Sequence, residues 1–226
     1  DAVDTARRAM ASNDCPTAVF ASDLTGGLAS LRPRGTIAAT VLARVTAMLT
    51  GRLGATAEIR TVGTATEVLA ALTEVAPGST IVLRAGDYRF TESLVLLDGV
   101  ALRGAGPATT VLHSSAAEAG VVVLTGARVD LADLTILLDG PAASSGVVAG
   151  PEASVALRRV RVSGARIGTD GLGGAGVQMS GTGTEGAGRG TTLEITDTEL
   201  DHNGWTGIAV GGGHRASILR TQFTGN

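Results

Sequence analysis

Four segments of this chain repeat one apolar pattern: VDLADLTI (129–136), VALRRVRV (155–162), LEITDTEL (193–200) and ASILRTQF (216–223). Aligned, they put Leu131, Leu157, Ile195 and Ile218 in one inward column, Leu134, Val160, Thr198 and Thr221 in a second, and Ile136, Val162, Leu200 and Phe223 in a third. Such a repeat constrains the architecture more than any single strand does, because each unit has an apolar face that only a neighbouring unit can cover. A second, glycine-led strand family precedes each copy of the first: GVVV (120–123), GVVA (146–149), GVQM (176–179) and GIAV (207–210). Coils of about 26 to 31 residues with at least two strands each fit a β-solenoid, in which equivalent strands stack about 4.8 Å apart as parallel ladders.

The outward positions give the same register independently. Asp133, Arg159, Asp197 and Arg220 share one outward column and alternate in sign, and Arg161 and Glu199 pair opposite charges at the next outward position. A ladder built this way avoids stacking like charges on adjacent rungs. Each exposed pair contributes only about 0.2–1 kcal/mol, so the charges report register more than stability.

Upstream of the repeats the pattern changes. Residues 64–90, TATEVLAALTEVAPGSTIVLRAGDYRF, read as a short amphipathic helix capped by Thr64 or Thr66, a turn at Pro77-Gly78 and an apolar strand over 80–83. LVLLDGVALRGAG (94–106) adds two strands around Asp98-Gly99, too close together for an intervening helix. Residues 1–58 form a separate helical segment, broken by Pro16, Gly26-Gly27 and Pro33-Arg34-Gly35, and residues 59–226 form the repeat domain. The clearest helix of the first segment, TIAATVLARVTAMLTGRL (36–53), aligns Ile37, Val41, Val45, Met48 and Leu49 on one face. Its opposite face lacks the basic residues of a membrane-surface helix, so the stripe suits packing against the repeats or a neighbouring domain.

The stretch from Thr64 to Gly106 resembles the N-terminal capping helix and first coils of the pectin-lyase-like superfamily, and GWTGIAV (204–210) resembles its later coil corners. The resemblance spans about residue 60 to Asn226. It implies an all-β chain: a right-handed parallel β-helix (β-solenoid) with a helical N-terminal segment and a capping helix, truncated or continued beyond Asn226. Proteins of that superfamily bind or cleave polysaccharides or serve as structural and adhesive modules, so the fold does not assign an activity.

Composition narrows the partners. With 33 glycines and only five aromatic residues (Phe20, Tyr88, Phe90, Trp205 and Phe223), the chain suits thin repeated layers, and 44% hydrophobic residues suffice for a core. A net charge of −3 and the absence of a long basic run argue against nucleic acid. No run of 18 apolar residues predicts a membrane span. Cys15 stands alone, so no internal disulfide frames the fold. The opening DAVDTARRAM lacks the order of a secretory signal and begins without Met, which leaves the compartment open and is compatible with removal of an upstream segment.

Enzymes of the resembled fold place acids, bases or calcium-binding carboxylates on the outer face of one ladder. Here the outward residues of the glycine-led strands are Val122, Val148, Gln178 and Ala209, none of which transfers a proton or supplies a carboxylate. The turn edge before those strands is the better candidate. LLDGPAASSG (137–146), GARIGTDGLGGAG (164–176) and DHNGWTG (201–207) stack as loops carrying one aspartate each, Asp139, Asp170 and Asp201. Glycosidases use two carboxylates about 5–9.5 Å apart, a separation that one or two coils supply. Asp170 and Asp201 with His202 are therefore the candidate catalytic set. Asp139, Trp205, Gln178 and, at the tip of the glycine-rich loop 181–192, Glu185 and Arg189 are candidate ligand contacts. The plainer reading is that Asp98, Asp139 and Asn203 satisfy turn backbones.

Asp201-His202 is similar to an aspartate–histidine pair of some pectate lyases, but Glu199-Leu200 stands where those enzymes carry a tryptophan-containing stretch. Gly213-His214-Arg215 departs from the glycine–histidine–glycine element of polygalacturonases, so neither catalytic set carries over. His113 and Cys15 are remote in sequence from His202 and His214, which argues against a zinc site, and no cofactor is implied; calcium would rest on the three aspartates alone. The expectation is a non-catalytic recognition or scaffold module for an extended ligand, a carbohydrate or a partner protein. A polysaccharide hydrolase or lyase using turn-edge carboxylates is the first alternative. Self-association through solenoid ends is the second, since the chain stops at FTGN directly after a strand.

Overall fold

The computed structural model describes residues 56–124, 126–169, 171–179, 190–210 and 213–226. Most of the helical segment expected over 1–58, with its stripe at Ile37–Leu49 and Cys15, lies outside them. The described chain is mostly β-strand, and every pairing between its strands is parallel.

It opens with β1 (Ile59–Val62), followed by helix α1 (Ala65–Glu74). Thr64 caps that helix: its hydroxyl accepts from the Glu67 amide at 3.2 Å while the Glu67 carboxylate accepts from the Thr64 amide, the reciprocal box the sequence carries. Val68, Ala71 and Leu72 face inward, and α1 lies against β1 and the first three strands that follow, covering one end of the stack.

Each later passage of the chain contributes rungs to three ladders. The first passage is β2 (Thr80–Leu83), β3 (Gly86–Phe90) and β4 (Leu94–Leu96). The second is β5 (Val100–Arg103), β6 (Thr110–Ser114) and β7 (Glu118–Val123). In the third and fourth the first two rungs are halves of one long strand, β8 (Arg128–Leu138) then β9 (Ser144–Ala149), and β10 (Ser154–Ser163) then β11 (Ala175–Met179). The fifth is β12 (Thr192–Thr196), β13 (Glu199–Asp201) and β14 (Thr206–Ala209), and the chain ends in β15 (Arg215–Leu219) and β16 (Gln222–Thr224). The ladders run β1-β2-β5-β8-β10-β12-β15, β3-β6-β8-β10-β13-β16 and β4-β7-β9-β11-β14. Neighbours on a ladder are never consecutive in the chain after β1 and β2, so each passage returns one rung higher.

The columns read from the sequence are the columns of the core. Leu131 pairs with Leu157, Leu157 with Ile195 and Ile195 with Ile218, while Ile136, Val162, Leu200 and Phe223 form another continuous file. These side chains are fully buried until the last rung, where Ile218 and Phe223 are 47% and 48% exposed because nothing described lies above them.

The charge column has a different geometry from the flat outward strand position that alternation suggests. Asp133, Arg159, Asp197 and Arg220 all adopt positive φ, from 47° to 58°, and each marks the bend where the chain passes from the first ladder to the second. The opposite charges still meet across the bend: Arg159 grips Asp133 through Nε and Nη2 at 2.6 and 2.7 Å, and Arg220 grips Asp197 in the same way. A left-handed conformation is tolerated by asparagine far better than by a β-branched residue. Arg159→Asn should therefore stay within about 1 kcal/mol of the parent, while Arg159→Val should cost about 1–3 kcal/mol more in chemical denaturation. Equal losses for the two would show that the ion pair, not the bend, governs this position.

Candidate functional site

Three polar features lie on the outer surface, and the bend positions the first. The turn between β5 and β6 leans over it: the Gly106 amide donates to the Asp133 carbonyl at 2.9 Å, and the Thr135 hydroxyl donates to the Pro107 carbonyl at 2.7 Å. Beside that turn an open cleft of about 540 Å³ runs up the stack. Its floor carries Thr135, Arg161, Glu199 and Gln222 on successive rungs, with Asp197 and Arg220 along one side.

Arg161 connects that cleft to the turn edge. Its expected partner, Glu199, is the adjacent rung, yet the nearest approach is 3.7 Å. The guanidinium instead takes Asp201 bidentately, Nε at 2.9 Å and Nη2 at 2.6 Å, because a planar fork matches a carboxylate two residues along the neighbouring strand. Asp201 is 1% exposed and also accepts from Ser163 Oγ at 3.1 Å and meets His202 Nδ1 at 2.6 Å. Burial works to raise the Asp201 carboxyl, but Arg161, His202 and Ser163 together outweigh it and hold the group below the usual carboxylate range. Asp201 is therefore a buried, ionised, fully engaged carboxylate.

The turn edge itself is built by stacking of the loops. The Gly204 amide donates to the Ala165 carbonyl at 2.8 Å and the Trp205 amide to the Gly174 carbonyl at 2.9 Å. Asn203, fully buried, accepts from the Ala165 amide and donates to the Val162 carbonyl and to Asn226 Oδ1, and Asn226 in turn donates to the Leu200 carbonyl at 2.7 Å. These loops hold Trp205 outward, 55% exposed, and a side chain on Gly174 would collide with both Trp205 Cβ and Ile167 Cβ. Trp205 and Ile167 thus flank one point of bare backbone, with His202 exposed three residues before the tryptophan.

Asp139 belongs to a different cluster. It is the rung equivalent of Ala165 and Asn203, two residues out of step with Asp201, and shares no partner with it. It meets His113 Nδ1 at 2.8 Å and Arg89 at 3.5 Å, while His113 Nε2 faces Asp87 at 3.3 Å. Asp98 accepts from the Arg128 amide at 2.8 Å, so it serves the first residue of β8 in the next passage rather than its own turn. Gln178 sits half-buried beside Val148 and accepts from Ser145 Oγ at 3.0 Å. Asp170, Glu185 and Arg189 lie outside the described residues, so the pairing of Asp170 with Asp201 has no geometry here.

Sequence reasoning passed over the His113 cluster and the Arg161–Asp201 link. The first had only a partial signal: Asp87, His113 and Asp139 are each 26 residues apart, close to one coil, but His113 shares its rung with Arg89 and Leu137 and reaches each aspartate two residues out of register. Among the described residues no group of three or more His, Cys, Asp or Glu is arranged to hold a metal, and no helix is long and apolar enough to cross a membrane. No family model, curated protein or solved structure matches the chain.

Proposed function

We propose that this chain is a right-handed parallel β-helix that recognises an extended ligand, a carbohydrate chain, along its stacked turn edge without cleaving it. The handedness rests on the parallel ladders, since parallel crossovers within one sheet are right-handed in about 98% of cases. The functional reading rests on one observation: Trp205 is held out of the stack beside Ile167 on hydrogen-bonded, stacked loops, while Asp201, four residues before it, is buried and fully engaged. An exposed aromatic face beside bare backbone is suited to stacking on a sugar ring. A general acid needs a proton to give, and a nucleophile needs access; Asp201 has neither property.

The test is a soluble-polysaccharide panel scored for both binding and release of reducing or unsaturated ends. Binding without product is expected, and Trp205→Ala should weaken it at least roughly tenfold with an unchanged melting temperature. Product that disappears in Asp170→Asn would make the protein a polysaccharide hydrolase or lyase instead. Binding that survives Trp205→Ala would move the ligand to another face.

A further inference from the structure

One corner of the turn edge carries a side chain that its backbone does not call for. His202, Gly164 and Gly225 each stand one residue beyond Asp201, Ser163 and Thr224, which are paired on successive rungs, and all three have left-handed backbone, with φ of 52°, 84° and 63° respectively. Glycine enters that region without strain, and the rungs below and above use it. The middle rung carries histidine, whose amide is fixed by donation to the Thr224 carbonyl at 3.0 Å and whose side chain is 72% exposed. A side chain this exposed fills no core, so packing does not account for the strain. The ring is nevertheless held in place. Nδ1 meets Asp201 Oδ2 at 2.6 Å, and that carboxylate already accepts from the Arg161 fork and from Ser163 Oγ, so it assigns the proton to Nδ1. A neutral imidazole has one N–H, and with that proton on Nδ1 the other nitrogen carries a lone pair. Nε2 of His202 has no hydrogen-bond partner among the described residues, whereas His113 has a carboxylate at each ring nitrogen and His214 Nδ1 accepts from the Thr191 amide.

We infer that His202 Nε2 is the hydrogen-bond acceptor of the turn edge, taking a hydroxyl of a neutral sugar chain stacked on Trp205, with Asp201 and Arg161 as positioning residues that fix the tautomer. The inference rests on the recognition reading and names the chemistry of its ligand. Three residues span at most about 10 Å, so a short oligosaccharide can touch His202 and Trp205 together. A Cβ on Gly225 would lie 3.7 Å from Nε2, and a longer side chain there would cover it, so the bare rung keeps that nitrogen open to a ligand. Stacking on an indole uses a sugar face made of C–H groups, which rings with equatorial hydroxyls present. Those hydroxyls then point sideways from the stacked face, toward groups that flank the tryptophan. A lone pair accepts a hydroxyl proton but repels an ionised carboxylate, which has no proton to give. Arg166 is exposed on the same edge beside Ile167, so an anionic chain is the competing ligand and belongs in the test.

The test titrates the full chain with cellohexaose and xylohexaose, neutral probes with equatorial hydroxyls, and with hexagalacturonate, an anionic one. At least one neutral probe should bind roughly tenfold or more tightly than hexagalacturonate. His202→Asn tolerates the left-handed backbone and still offers Asp201 a donor, so it should melt within about 3 °C of the parent. It should bind the neutral probe roughly tenfold or more weakly, because an asparagine reaches only as far as Nδ1. His202→Gln, which brings a carbonyl oxygen near the Nε2 position, should recover most of that loss. With isotope-labelled histidine in mildly alkaline solution, the Nε2 resonance of His202 should be that of an unprotonated nitrogen, and it should be the ring signal that shifts most as the neutral probe is added. A proton on Nε2, undiminished binding by His202→Asn, a glutamine no better than the asparagine, or preference for hexagalacturonate would each overturn the inference. If Trp205→Ala abolishes binding and His202→Asn does not, the inference falls and the recognition reading stands. If none of the three probes binds, both fall.

Discussion

Gly146→Ala should lower the melting temperature of the chain by about 6–12 °C, or abolish folding, from a single added methyl group. The glycines inside β7, β9 and β11, Gly120, Gly146 and Gly176, each face the backbone carbonyl of the next rung. A Cβ on Gly146 would stand 2.2 Å from Val162 Cγ1 and 2.4 Å from the Gly176 carbonyl oxygen. The valine methyl belongs to a fully buried core side chain and the carbonyl to the neighbouring rung's backbone, so neither has room to retreat. Relief would require opening the spacing between two coils, and overpacking with no room to relax costs about 3 kcal/mol, the upper end of the usual range, or more. The same substitution one rung away provides the comparison. At Gly120 the nearest atoms would be the Gly146 carbonyl oxygen at 3.1 Å and Ile136 Cγ2 at 3.4 Å, contacts that a few tenths of an ångström relieve. Gly120→Ala should therefore melt within about 3 °C of the parent. Thermal denaturation of the two variants side by side decides the matter, and equal melting temperatures would mean that the glycine-led strands are not packed as described.

Those glycines illustrate what was legible in the sequence. Repetition fixed the core, because four aligned strands had to place the same side chains in the same files, and Leu157 duly sits between Leu131 and Ile195. Even the bend was written there: the step from Leu131 to Leu134 is three residues where a flat strand alternates by two, and Asp133, in left-handed backbone, takes up the odd residue. Side-chain partners were harder to read. A rung assignment pairs Arg161 with Glu199, but a long guanidinium reaches residues beyond its own rung and chose the buried carboxylate of Asp201 over the exposed one. Asp139 and Asp201 looked alike as loop aspartates, yet a two-residue offset sends one to His113 and the other into the stack. Distance counted along loops of unequal length does not carry the register that strands carry.

Asp201→Asn should destabilise the chain by about 2–3 kcal/mol at neutral pH, the loss expected when a buried charge-assisted network loses its ionised member. The side chain keeps its shape, so the loss measures charge: Arg161, His202 and Ser163 would face an amide in place of a carboxylate. The pH dependence separates this from a packing effect. The folded Asp201 carboxyl titrates below its usual range, so between the folded and unfolded values, the latter about 3.9, the unfolded chain binds a proton that the native chain does not. Stability from this group is therefore fully present above about pH 4 and is lost as the pH falls through the folded value. Asp133 and Asp197, also held below the usual carboxylate range by Arg159 and Arg220, titrate in both proteins and cancel in the comparison. The gap in unfolding free energy between parent and Asp201→Asn should then be open at neutral pH and close in acid below about pH 4, as the parent acquires its own neutral residue at that position. A gap that stayed open in acid would mean that Asp201 holds the turn edge by shape rather than by charge.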